Sequence, residues 1–208
     1  MTERKRVLFY GDSNTYGYDP RGFMGGRYPE EQRWTEIVRR RLKDTWEIMD
    51  DGMNGREIPS SALTLQALDR TLKRCVPLNL FAVMLGSNDL LFSSPYPTLA
   101  AEKMKQMLIH VKMFLSRHNC AGRRSSKEAV SSCQILLIAP PQDLSGGEPL
   151  RQASLHLADL YQELAVQEHC QFLDLSREEL SLAFDGLHFT EKGHRQMALL
   201  IEPILLNQ

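Results

Sequence analysis

The 208-residue chain predicts an α/β fold, a parallel sheet covered by helices on both faces. Three observations carry that expectation. Five short strand candidates alternate with segments whose apolar residues recur at helical spacing. Two of them, Leu80 to Leu85 and Ile135 to Ala139, are apolar throughout, as strands buried on both faces are. The first four candidates end in turns marked by glycine or proline, which suits right-handed crossovers between parallel strands. For five strands the natural arrangement is a three-layer α/β/α flavodoxin-like sandwich with strand order 2-1-3-4-5. With 42% hydrophobic and 25% charged residues, one soluble domain spanning 1–208 has enough material for its core.

The elements follow in order. Arg6 to Tyr10 is the first strand. It stops at Gly11-Asp12-Ser13-Asn14-Thr15-Tyr16-Gly17, which places the Ser13 hydroxyl in a strand-to-helix turn. In an open parallel sheet that turn lies at the carboxyl edge, where ligands bind. Residues 18–29 are punctuated by glycine and proline and read as a loop, either an inert surface loop or a wall or lid over a pocket through Phe23, Met24 and Tyr28. A helix is expected from Glu31 to Lys43, with Trp34, Ile37, Val38 and Leu42 inward and the arginines solvated. Trp46 to Asp50 alternates and predicts a second strand at an edge, followed by the turn Asp51-Gly52-Met53-Asn54-Gly55-Arg56. A helix from Ala62 to Cys75 leads into the strand at 80–85, which ends in Gly86-Ser87-Asn88-Asp89. Thr98 is expected to cap a long helix reaching Arg117, and 119–132 reads as a polar surface excursion. The strand at 135–139, a helix from Leu150 to His169, a short strand at 172–175 and a last helix capped by Thr190 complete the pattern.

Composition excludes several function classes. Lys plus Arg number 25 and Asp plus Glu 26, so no basic surface invites nucleic acid or an anionic membrane. No run approaches the roughly 18 apolar residues of a membrane span, and no signal-peptide core follows the charged start. A cytoplasmic location is the default expectation. Cys75, Cys120, Cys133 and Cys170 lack paired spacing and read as reduced thiols, and no metal-ligand pattern occurs. Near-zero net charge and the helix bearing Trp34 permit a homo-oligomer.

The chemistry sits in four of the turns. A parallel sheet brings all its carboxyl-end loops to one edge, so Ser13, Gly55, Asn88 and the Asp185/His188 pair can converge. A serine nucleophile needs a base, and His188 has Asp185 three residues before it to hold the ring and stabilise its cation. Taken singly, Ser13 is more often a helix cap, Gly55 a left-handed turn residue and Asn88 a turn cap. His194 reads as a packed or exposed helix residue, and His110, His118, His156 and His169 have no acidic partner at matching spacing on their helices. Acyl transfer also needs donors facing the developing oxyanion. The Ser13 N–H, the Gly55 N–H and the Asn88 amide are the candidates. Asp12 reads as a brace for the turn. A different class of function, a flavodoxin-like flavin-binding module, would use Ser13, Asn14 and Thr15 to hold a phosphate, but it leaves Asn88, Asp185 and His188 without a task.

Gly11-Asp12-Ser13-Asn14, Gly55, Gly86-Ser87-Asn88-Asp89 and Asp185-x-x-His188 together resemble the SGNH hydrolase superfamily, also called GDSL esterases, with all four blocks in order across almost the whole chain. The resemblance implies Ser13 as nucleophile and first oxyanion donor, Gly55 and Asn88 as further donors, His188 as base and Asp185 as its orienter. Asn14 to Pro20, Arg33-Trp34 and Asn54-Gly55-Arg56 are most similar to the bacterial arylesterase/acyltransferase branch. That likeness implies a small-molecule ester substrate with a short acyl group, acetyl and aryl esters included, sometimes acyl transfer to alcohols, and no metal or organic cofactor. Sugar O-acetyl groups or thioesters would suit the same machinery. The branch's Arg-Thr-Thr is here Arg56-Glu57-Ile58, and the stretch 119–132 also departs from it.

Overall fold

The computed structural model of the protein describes residues 4–22, 25–93, 95–119 and 133–208. Its sheet is formed by β1 (Lys5–Gly11), β4 (Trp46–Gly52), β5 (Leu80–Met84), β6 (Gln134–Ala139) and β7 (Gln171–Asp174), between which lie β2 (Tyr18–Asp19) and β3 (Gly26–Arg27) of a separate hairpin. The five strands are parallel and run in the order β4-β1-β5-β6-β7. Renumbered within the sheet this is the expected 2-1-3-4-5, with β4 at an edge. The helices are α1 (Ser13–Tyr16), α2 (Trp34–Arg41), α3 (Ala62–Cys75), α4 (Pro97–His118), α5 (Gly147–Gln167) and α6 (Glu191–Leu206).

The continuous apolar strands are explained by two separate cores. Successive side chains of a strand point to opposite faces. On β1, Leu8 and Tyr10 enter a core with Leu68, Leu108 and Tyr161 of α3, α4 and α5, whereas Val7 and Phe9 enter one with Val38 and Ile201 of α2 and α6. Strand β5 divides the same way, Phe81 and Val83 against Ala82 and Met84. No polar position is available on such a strand, so alternation is absent.

Three local expectations change. The segment expected as one helix from Glu31 is a single 3-10 turn, Glu30–Gln32, an extended Arg33 and then α2. Arg33 turns the chain so that its carbonyl accepts the N–H groups of Glu36 and Ile37 and starts the helix afresh. Thr98 is not the cap of α4: Pro97 is the first helical residue and Tyr96 the flanking one. Proline suits that first position because its missing N–H would have had no partner. The loop 18–29 contains the antiparallel pairs Tyr18 with Arg27 and Asp19 with Gly26. Thr190 does cap α6, accepting from Gly193 N–H at 3.1 Å. Cys75, Cys133 and Cys170 are free thiols, and burial pushes Cys133 up to about 12. Cys120, Phe23, Met24 and residues 120–132 of the surface excursion lie outside the described residues.

His194 is a packed helix residue, fully buried between Tyr28 and Phe189, whose rings meet it edge-on at 5.1 and 5.5 Å. Burial, helped by the Arg33 guanidinium, pushes its imidazole down to about 4. The folded state thus holds His194 neutral where the unfolded chain protonates it, at roughly pH 6.5 and below. Its contribution is fully present above that pH and is lost as pH falls toward about 4. Urea unfolding of wild type and His194→Gln at pH 7 and pH 4.5 checks this. The fall in stability between the two pH values should be smaller in the variant by roughly 2.5 kcal/mol.

Candidate active site

The site is built where β1 ends. Asp12 is buried, and its Oδ1 accepts the Asn14 N–H at 3.0 Å, which starts the single turn of α1 with Ser13 as its first residue. Burial pushes the Asp12 carboxyl up to about 6, against the opposing hydrogen bond from Asn14. The turn lies directly on the end of β4. A Cβ on Gly52 would stand 2.1 Å from Tyr16 N and 2.6 Å from Thr15 C, so only glycine lets the two backbones approach.

The Ser13 Oγ is 2.9 Å from His188 Nε2, and His188 Nδ1 is 2.7 Å from Asp185 Oδ2. Asp185 Oδ1 also accepts the N–H groups of Leu187 and His188, both at 3.1 Å. Burial opposes charge on Asp185, but the hydrogen bonds from the His188 ring and these two N–H groups prevail and hold its carboxyl below the ordinary value. An ionised carboxylate only accepts, so Nδ1 carries the ring proton and Nε2 turns its lone pair to the Ser13 hydroxyl. A hydroxyl so placed can pass its proton to the ring while its oxygen attacks a carbonyl carbon. The ring of Tyr18 lies 4.6 Å from that of His188. Tyr28, expected in the pocket wall, is instead buried against His194, with Arg21 over its face at 5.1 Å.

The other two turns are tied to this centre. Gly55 has φ +70° in the turn closed by Arg56 N–H to Met53 C=O at 3.2 Å, and the space a Cβ would fill is open. Arg56, unassigned from the sequence beyond the resemblance, donates to Gly11 C=O at 2.9 Å and to Asp51 Oδ1 at 2.6 Å. It thereby joins the Gly55 turn to the strand that carries Ser13. The Asn88 amide is buried and donates to Arg56 C=O at 3.0 Å, which uses one of its two N–H groups. Asp89 accepts Ile58 N–H at 2.9 Å and Lys103 Nζ at 2.8 Å. Burial raises the Asp89 carboxyl in spite of both. Beside Gly55 a cavity of about 380 Å³ is lined by Tyr10, Met53, Ile58, Ser61 and Ala67. Of the other histidines, His110 does have an acidic partner, Asp69 at 2.6 Å, supplied by α3 rather than by its own helix. Among the described residues no helix is long and apolar enough to cross a membrane.

By its family match and its likeness to solved esterases, the chain is a carboxylic ester hydrolase. Residues 9–196 match the GDSL-like Lipase/Acylhydrolase family, and the chain belongs to that family. Among curated proteins none matches the sequence. Among solved structures the chain is similar to a protein of Agrobacterium tumefaciens str. C58 assigned as an arylesterase, with 26% identity, TM-score 0.82 and coverage of 98% of this chain and 99% of that one. A carbohydrate acetylesterase family member of Sinorhizobium meliloti is 27% identical, with TM-score 0.77 and 97% of each chain covered. The aryl esterase of M. smegmatis shares the fold at TM-score 0.80 and 24% identity, over 98% of this chain and 99% of that one.

Gly52→Ala tests the backbone contact under α1. The added methyl meets backbone, which cannot swing away as a side chain would, so the urea midpoint should fall by the equivalent of about 1–3 kcal/mol. An unchanged midpoint would show that α1 is free to move off β4.

Proposed function

We propose that the protein is a serine esterase that hydrolyses short-chain acyl esters, acetyl and aryl esters included, through Ser13, His188 and Asp185 and a covalent acyl-enzyme. The observation that carries this reading is the unbroken hydrogen-bonded chain from Ser13 Oγ through the His188 ring to Asp185. His188 Nε2 takes the proton as Ser13 Oγ bonds to the ester carbonyl carbon. The carbonyl oxygen becomes an oxyanion, held by the N–H groups of Ser13 and Gly55 and by the second N–H of the Asn88 amide. When the carbon–oxygen bond breaks, His188 returns the proton to the leaving alcohol. Water then enters, and His188 removes its proton as the water oxygen bonds to the acyl carbon; when the bond from that carbon to Ser13 Oγ breaks, His188 returns the proton to Oγ and the acid leaves. An alcohol in place of that water would make the reaction an acyl transfer. Asp185 holds the neutral ring in one tautomer and stabilises the cation that forms when the ring takes the proton.

A sugar O-acetyl ester is a second reading of the same machinery, favoured by the likeness to the carbohydrate acetylesterase family member of Sinorhizobium meliloti. A flavin phosphate fits poorly at this turn, since the Asn14 N–H that would hold it is taken by the buried carboxyl of Asp12.

A serine-directed fluorophosphonate followed by peptide mapping should place the adduct on Ser13. Ser13→Ala and His188→Ala should each abolish p-nitrophenyl acetate turnover; retained turnover in either, or an adduct elsewhere, would overturn the mechanism. Asn88→Ala should lower kcat by roughly 10²–10³ if its amide faces the oxyanion. A loss below about tenfold would leave it only the task of holding Arg56. Turnover of acetylated xylose against p-nitrophenyl acetate separates the two substrate readings.

A further inference from the structure

We propose that Asn14 is the positioning residue for the base, a strap that holds His188 at working distance from Ser13; the proposal rests on the serine-esterase reading above. Asn14 Nδ2 donates to Leu187 C=O at 3.1 Å, and Asn14 Oδ1 accepts Phe189 N–H at 2.9 Å. These are the residues on either side of His188, so one side chain brackets the base along its backbone. Asn14 is also the residue immediately after Ser13. The strap therefore spans 173 and 175 positions of sequence with no flexible link between the nucleophile and the base.

Asn14 is itself held from two further directions. Its N–H donates to Asp12 at 3.0 Å, and its carbonyl accepts Trp34 Nε1 at 3.0 Å. It is buried, as Phe189 is. The base loop has anchors of its own, Ala183 N–H to His188 C=O at 2.7 Å and Leu144 N–H to Gly186 C=O at 2.9 Å, which fix its shape. Neither of those reaches the Ser13 turn. What Asn14 adds is the coupling between the two turns: without it the loop can keep its shape and still drift from Ser13. A drift of about 1 Å in a reacting geometry can cost about 10²-fold in rate.

Asn14→Leu keeps the volume and removes both bonds. The folded variant should lose about ten- to a hundredfold in kcat for p-nitrophenyl acetate with KM within about threefold, and Ser13 labelling by fluorophosphonate should slow in parallel. Its His188 Nδ1 proton resonance should broaden relative to wild type, a change that a purely structural residue would not produce in protein that remains folded. Folded Asn14→Leu with kcat within about threefold of wild type would overturn the strap. In the wild-type protein, a through-hydrogen-bond scalar coupling between Phe189 ¹⁵N and Asn14 ¹³Cγ is expected, and its absence would overturn the strap whether or not the variant folds. Failure of the esterase reading would show separately, as activity surviving in Ser13→Ala.

Discussion

The buried guanidinium of Arg56 is the interaction on which the rest of the site depends. It lies 4.1 Å over the Tyr10 ring, bonds the Gly11 carbonyl at the end of β1, and bonds both the carbonyl and the carboxylate of Asp51 near the end of β4. A charge taken out of water is tolerated only when its donors are satisfied, and the flat five-donor fork of arginine suits several oxygens around one point. Asp51 is matched in turn. Burial works against its charge, but the Thr71 hydroxyl at 2.6 Å and the Arg56 fork hold its carboxyl below the ordinary value. The result is one cation that fixes the ends of two strands and the turn bearing Gly55. Asn88 then reads the position of that turn through the Arg56 carbonyl. Three of the four loops that the topology merely brings near one another, those of Ser13, Gly55 and Asn88, become a single hydrogen-bonded arrangement, and Asn14 joins the loop of His188 to it.

The same edge concentrates the costs of the fold. Below it, β1 and β5 bury almost nothing but hydrocarbon. At it lie buried Asp12, Asn14, Asn88 and Asp89, two of them carboxyls pushed upward by burial. The Asp12 carboxyl, raised to about 6, favours the folded state in its protonated form and costs stability as pH rises through that value. Perturbed groups gather where chemistry is done because the burial that perturbs them also excludes water from the reacting atoms. The protein spends on this layer some of the stability that its two apolar cores supply.

Much of this was legible in the sequence, for identifiable reasons. A strand buried on both faces leaves an apolar run, and parallel topology alone implies that the turns after such runs meet, so Ser13, Gly55, Asn88, Asp185 and His188 could be assembled without coordinates. The supports of the site were not legible. Arg56 to Gly11, Asp89 to Ile58 and Asn14 to Leu187 are pairings across the sheet edge in which neither partner carries a local signature. The His110–Asp69 pair was missed for the same reason, since an acidic partner was sought on the same helix. The split at Arg33 and the hairpin of β2 and β3 escaped because a few residues of 3-10 turn or ladder have no period to detect.

The two cores differ in what they hold. The core under α3, α4 and α5 supports the sheet and, through Tyr161 O–H to Leu85 C=O at 3.1 Å, the strand end before Asn88. The core under α2 and α6 supports Ser13 and His188 together. Trp34 stands edge-on to Phe9 at 4.7 Å, and its indole N–H holds the Asn14 carbonyl. Its backbone N–H meets His194 of α6, which lies against Phe189, the residue after the base. The Trp46 indole N–H to Leu205 C=O at 3.2 Å and Arg41 to Glu202 at 2.7 Å close the same layer at its far end. The start and the end of the chain are thus packed into one unit, with Ser13 at the rim of one and His188 at the rim of the other. Ser13 and His188, 175 positions apart, can keep a 2.9 Å contact because they are mounted on the same small core.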